Sequence, residues 1–294
     1  MVDPIRAIDL CCGAGGWACA ARGLPIQITH AFDLAADCCQ TCRLNHPGVE
    51  VIEGDLLDPA IAARIRAMKG RVDLVLGGIP CESISIYRNG WNPATRTSDA
   101  EMARFRALLD AILGLTAWLN PGSWVLEDVV GLVKELPPMT PFRILDAAHW
   151  SGQTRKRIYV GNFPKPYSKT DKRVLADYLR PGPYRVGTRL YGRTPATHSA
   201  FKADLFRAIE PGRKAPTIAG WISSRRDAEC GIMDPRLPGG KRQLEWQEAA
   251  LLQGFPDDYL FYGSPSRVHK MIGQAIQIDL GRAILEAICR EAER

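Results

Sequence analysis

No apolar run in the 294 residues approaches the ~20 needed to cross a bilayer as a helix. The opening residues, MVDPIRAIDLCCGAGG, lack the basic-then-apolar layout of an export signal, so a cytoplasmic protein without membrane attachment is expected. Internal repeats and low-complexity tracts are absent. Acids are scarce between residues 165 and 226, where Lys and Arg are frequent, and this places a candidate phosphate-binding stretch in a chain of net charge +6. Nine cysteines is an odd count in a chain of this kind, which argues against a disulfide framework. Cys39, Cys42 and His46 have zinc-like spacing, but no second close pair completes a site. Cys38, Cys39 and Cys42 are instead expected on a helix packed against a sheet, with no metal.

What is present is alternation. Residues 5–10, 28–33, 49–55 and 72–78 read as strands, separated by helical stretches near 17–22, 35–45 and 59–68. The fourth strand, VDLVLGG, is apolar enough to be buried on both faces. An amphipathic helix over 100–119 and strands at 123–129 and 157–163 continue the pattern. Strands alternating with helices at this pace predict a doubly wound, Rossmann-like α/β sheet. After residue 163 Pro, Gly, Arg and Tyr dominate and periodicity fades. The expected layout is therefore a cofactor-binding and catalytic domain over 1–163 and a smaller irregular domain over 164–267. A final segment, 268–294, returns as a helix to the first. Helical patterning also reappears at 243–254. Residues 87–99 form a long polar loop of the kind used as a lid.

The chemistry gathers at strand ends. The turn Asp9-Leu-Cys-Cys-Gly13-Ala-Gly15-Gly16 follows the first strand, where a glycine-rich backbone lets a ligand come close. Asp33 ends the second strand, and a carboxylate there suits a ribose diol. Asp55 ends the third and could accept from an adenine amino group. These positions indicate a nucleoside cofactor without separating NAD from S-adenosyl-L-methionine. Pro80 and Cys81 follow the fourth strand and open the polar loop, so Cys81 is a candidate nucleophile, with a buried structural cysteine as the alternative. Glu127, after Trp-Val-Leu, is a candidate buried acid able to hold a proton. Arg155 and Arg157, at alternate positions of QTRKR, could hold a carboxylate, a phosphate or a base carbonyl.

Taken in order, DLCCGAGG, GGIPCES, LEDV, QTRKR, RQLEWQEAALLQGFPDDY and IGQAI resemble the cytosine-C5 DNA methyltransferase family along nearly the whole chain. The resemblance implies a methyl group passed from S-adenosyl-L-methionine to C5 of a cytosine flipped out of double-stranded DNA. Cys81 would add to C6, Glu127 would stabilise the base at N3 and the exocyclic amine, and Arg157 would hold the carbonyl with Arg155 nearby. Asp9, Gly13, Gly15, Gly16, Trp17, Asp33, Asp55, Pro80 and Gln274 would line the donor site, and 164–267 would read the target sequence. A monomer is expected, and the resemblance allows a cognate restriction nuclease as partner or an orphan, phage-type enzyme.

Four residues depart from the family pattern: Cys11 for an aromatic, Glu82 for Gln, Asp128 for Asn, and Gln274 for Asn. Trp17 is the candidate to compensate for Cys11, and Arg88 to neutralise Glu82. The departures keep open a variant using an unusual donor or an already modified cytosine. Other readings are an RNA cytosine methyltransferase, a catalytically silent DNA-binding homologue and an NAD-linked oxidoreductase. The last would leave QTRKR and the late motifs unexplained.

Overall fold

The computed structural model describes residues 3–84, 97–168, 170–180, 212–215, 217–218, 231–233 and 241–294. Its main sheet has seven strands: β1 (Ile5–Leu10), β2 (Ile26–Asp33), β3 (Glu50–Glu53), β4 (Leu74–Gly78), β5 (Ser123–Asp128), β6 (Phe142–Asp146) and β7 (Lys156–Val160). The spatial order is β3-β2-β1-β4-β5-β7-β6. β3, β2, β1, β4 and β5 pair in parallel, and β7 runs against both of its neighbours. A short antiparallel pair, β8 (Gly231–Met233) and β9 (Lys241–Gln243), stands apart.

The parallel core follows from composition. Leu74, Val75 and Leu76 of β4 are fully buried, because helices cover both faces of a parallel sheet. One face carries α1 (Gly16–Ala21) and α7 (Ile278–Ala292), whose apolar residues share a core with Ala7, Leu74, Leu76 and Val125. α5 (Trp246–Gln253) and α6 (Pro265–Gln274) contribute to the same core. The opposite face carries α3 (Pro59–Arg66) and α4 (Asp99–Leu119), packed on Ile8, Leu10, Val75 and Leu126. α4 begins at a capping box of Ser98 and Glu101 and buries Phe105, Leu109, Ile112, Leu115 and Leu119 along one stripe. It stops at Asn120, which adopts the left-handed conformation before Pro121. On α2 (Ala36–Asn45), Cys39 and Cys42 are fully buried against Cys12, Ala31 and Val51.

Two elements differ from the sequence expectation. β6 is an edge strand with Phe142 and Ile144 about half exposed, so its apolar signal is weak. α6 buries only Val268, Met271, Ile272 and Gly273 among polar neighbours, and it runs through residue 267, where the sequence suggests a change of domain. The polar loop before α4 lies outside the described residues over 85–96, as do Arg88 and most of 181–230. No helix of the described residues is long and apolar enough to cross a membrane.

Candidate active site

Strand order reverses between β1 and β4, the point at which open α/β sheets leave a crevice at the carboxyl ends of their strands. A cleft of about 300 Å³ occupies it. The ends of β1, β2, β4 and β5 supply Cys11–Gly13, Asp33–Ala35, Gly78–Cys81 and Glu127–Val129. Gly16 and Trp17 enter from α1, Cys38 from α2, and Arg155 and Arg157 from the start of β7. α6 and the residues after it close the cleft with Arg267, Lys270, Met271 and 273–276.

The glycine-rich turn is held from both sides. The Gly13 N–H donates to Asp33 Oδ2 at 2.8 Å, and the Ala35 N–H donates to Oδ1 at 2.9 Å. Burial raises the Asp33 carboxyl, and these backbone donors oppose the rise. Each oxygen keeps a lone pair for a further donor, which is what a sugar diol offers. Tyr259 donates its hydroxyl hydrogen to the Ala14 carbonyl, and His46 Nε2 lies 2.9 Å from the same hydroxyl. Gly15 has φ +81°, and a Cβ there would stand 2.9 Å from the His46 ring. Gly15→Ala should therefore cost about 1–3 kcal/mol in left-handed strain alone, before the clash is counted. Thermal unfolding and donor titration together should show lower stability and weaker donor binding.

Trp17 donates from Nε1 to the Gly77 carbonyl at 3.2 Å and is 2% exposed, so its ring is fixed in the wall of the crevice. Cys11 holds φ +59°, a left-handed conformation that non-glycine residues seldom adopt. Asp9 is fully buried with neither carboxylate oxygen hydrogen-bonded, and burial raises its pKa well above the carboxylate range. Neither Asp9 nor Gly15 borders the cleft directly. Asp55 also lies off the cleft and pairs with Arg104 of α4 at 2.5 Å. Pro80 and Gln274 are exposed residues on its rim.

On the other side of the cleft stand Cys81, Glu127 and Arg157. Cys81 opens a short 3₁₀ turn, Cys81–Ser83, held to β5 by the Ile79 N–H donating to the Glu127 carbonyl at 3.0 Å. Burial, with Asp128 and Glu127 nearby, pushes the Cys81 thiol up to about 12, while Arg157 and Arg155 oppose the rise. Glu127 is 4% exposed, and Arg157 Nε lies 3.3 Å from its Oε1. Its carboxyl is raised by burial against the pull of Arg155 and Arg157.

Arg155 is used differently. Its Nη1 donates to the Ile218 carbonyl at 2.9 Å, and its Nη2 donates to Gly273 and Ala275 at 3.1 and 2.9 Å. Gln153 beside it donates to Gln253 Oε1 at 3.2 Å and accepts from the Ile218 N–H at 3.2 Å. The two arginines of QTRKR thus share a cleft but not a task.

Sequence reading missed Leu34, Arg267 and Lys270. Leu34 is 61% exposed at the cleft, immediately after Asp33, an apolar surface beside that carboxyl. Arg267 pairs with Asp37 of α2 across the mouth, at 2.8 Å for Nη2 to Oδ1. The i, i+3, i+7 spacing of Arg267, Lys270 and Gln274 was the available signal for a helix face, had α6 been recognised.

Fold and cleft together define a Rossmann-like α/β protein with a crevice at its switch point and a cysteine at a neighbouring strand end. The family model for C-5 cytosine-specific DNA methylase matches residues 5–136 and 214–290, and the chain belongs to that family. It is 25% identical to the type II methyltransferase M.NgoMIV of Neisseria gonorrhoeae, over 97% of this chain and 98% of that one. It is also 25% identical to M.PspPI of Psychrobacter sp., over 98% of this chain and 80% of that one. A prophage-encoded Escherichia coli protein described as a DNA modification methyltransferase superposes with TM-score 0.70 at 16% identity, covering 99% of this chain and all of that one. The protein is a DNA cytosine-C5 methyltransferase.

Proposed function

We propose that the chain methylates cytosine in double-stranded DNA through a covalent adduct between Cys81 and C6, using S-adenosyl-L-methionine as donor. The observation that carries this reading is one cleft bounded on one side by the glycine-rich turn and Asp33 and on the other by Cys81, Glu127 and Arg157. The residues fit the donor: Asp33 has lone pairs for the ribose hydroxyls, Gly13 leaves room beside the backbone, and Trp17 and Leu34 offer apolar surface. Gln274 stands on the rim with an amide that donates and accepts. Asp55, paired with Arg104, would meet the donor only if that pair gave way.

When bound, S-adenosyl-L-methionine supplies an electrophilic methyl group. The protein's task is to make cytosine C5 nucleophilic. Cys81 does this by bonding to C6, and Glu127 offsets the charge that appears on the ring by hydrogen bonding at N3 and the exocyclic amine. Arg157 holds the base carbonyl from its place beside Glu127. Arg155 is a positioning residue, fixing the 273–275 wall. Base flipping brings the ring within reach of the thiol. Residues 164–267 read the target sequence, and their cations meet phosphates.

The test is nucleoside mass spectrometry of DNA treated with purified protein and S-adenosyl-L-methionine, followed by bisulfite sequencing. The expected result is 5-methylcytosine confined to one sequence context. DNA left unmodified while an RNA substrate is methylated would overturn the reading. A product other than 5-methylcytosine would overturn the ordinary donor or the ordinary base.

A further inference from the structure

Gly13 and Gly16 border the cleft, while Ala14 and Gly15 lie between them and away from it. Gly13 and Gly15 both have left-handed φ, at +54° and +81°. Glycine takes such angles readily but is not confined to them, so the turn needs outside contacts to keep one shape. Asp33 supplies one, on the side where the cleft opens. Another comes from behind, where Tyr259, between α5 and α6, donates its hydroxyl hydrogen to the Ala14 carbonyl. Ala14 is 1% and Tyr259 5% exposed, so water is shut out of this contact.

His46, just after α2, fixes the direction of that hydroxyl. Its Nε2 lies 2.9 Å from the phenol oxygen. Burial, then Arg22, holds the imidazole down at about 4 against the pull of the Gly15 backbone, so the ring is neutral and carries one N–H. Because the phenol hydrogen goes to the carbonyl, that ring hydrogen must sit on Nε2 and face the phenol oxygen. Gly15 lets both rings come this close, since a Cβ there would stand 3.0 Å from the hydroxyl. The Tyr259 ring is packed separately, with Phe255 and Phe261 at centroid distances of 4.6 and 5.3 Å.

We propose that the Tyr259 hydroxyl, aimed by His46, is a positioning group for the methyl donor. It holds the glycine turn in the shape that receives S-adenosyl-L-methionine and takes no part in the chemistry at cytosine. This rests on the donor reading above. Tyr259 does not border the cleft, so it acts through the turn. Without its hydroxyl, a buried carbonyl and the His46 N–H both lose a partner. The turn then spends part of its time in other shapes, and the donor's apparent affinity falls by the fraction of chains that remain competent. Once the donor is bound the turn is in place, and methyl transfer runs at its ordinary rate. Asp33 differs, because it both holds the turn and offers lone pairs to the ribose.

The test is Tyr259→Phe, which keeps the ring packing and deletes only the hydroxyl. Binding of S-adenosyl-L-methionine is measured by calorimetry, and amide hydrogen exchange of peptides across 10–17 is followed in the donor-free protein. Donor Kd should rise about tenfold, with faster exchange over 10–17. Methyl incorporation into DNA at saturating donor should stay within about threefold of wild type, with unchanged DNA affinity. Wild type that does not bind S-adenosyl-L-methionine would remove the donor reading, and the proposal with it. With wild-type binding in hand, a variant Kd within about twofold of wild type would overturn the proposal alone. So would weaker binding without faster exchange at the turn, or a loss of turnover at saturating donor as large as the loss of affinity. Exchange rising across the whole sheet would overturn it too, since that marks a general loss of structure.

Discussion

Cys81→Ser should lose methylation by about 10⁴-fold or more while binding DNA within a few-fold of wild type. A serine hydroxyl occupies nearly the same space, so the fold and the Ile79–Glu127 tether of the loop are retained. What it lacks is a usable anion. Even the thiol is held up at about 12 by burial, and a hydroxyl lies higher still. The measurement is incorporation of labelled methyl groups into DNA, paired with a binding isotherm. Equal turnover by the serine variant would remove Cys81 from the chemistry, and a covalent adduct formed equally well by it would do the same.

The second large effect is expected at Glu127. Glu127→Gln keeps the shape of the side chain and can still donate a hydrogen bond, but it cannot give up a proton. Turnover should fall by about 10²–10⁴-fold, the usual contribution of a placed general acid. The sign of the pH dependence follows from the raised carboxyl. The acid form of Glu127 disappears as pH rises through its folded-state value, which burial holds above the ordinary range. Wild type therefore loses on the alkaline side something the variant never had. The ratio of wild-type to variant rate should shrink with increasing pH. A ratio that stays constant from pH 6 to 9 would show that Glu127 acts only through shape and hydrogen bonding.

The five parallel strands could be read in the sequence because burial on both faces writes a nearly continuous apolar run, as in the LVLGG of β4. β6 could not, since an edge strand with exposed Phe142 and Ile144 has no such signature. α6 could not, since few of its residues reach the core. Because α6 was hidden, so were Arg267 and Lys270, and with them the wall that closes the cleft. Within the site, chain position at a strand end was readable and side-chain direction was not. Asp33 turns toward the glycine turn, whereas Asp55 turns to Arg104 and Asp9 lies beneath the surface. The alternate spacing of Arg155 and Arg157 suggests a shared role, but three backbone carbonyls hold the first and a carboxylate faces the second.

The tie between Tyr259 and the Ala14 carbonyl spans 245 positions of the chain. Gly16 meets Ile276, and α7 packs on α1 across a similar distance. A ribosome, adding about 5–20 residues per second, delivers the glycine turn well before its buttress. For most of synthesis, then, β1 and β2 can pair while the pocket between them has no back wall. Contacts of such long range also form slowly once the chain is free. A chain released before residues 259–292 are made would carry Cys81 without the back wall of the cleft.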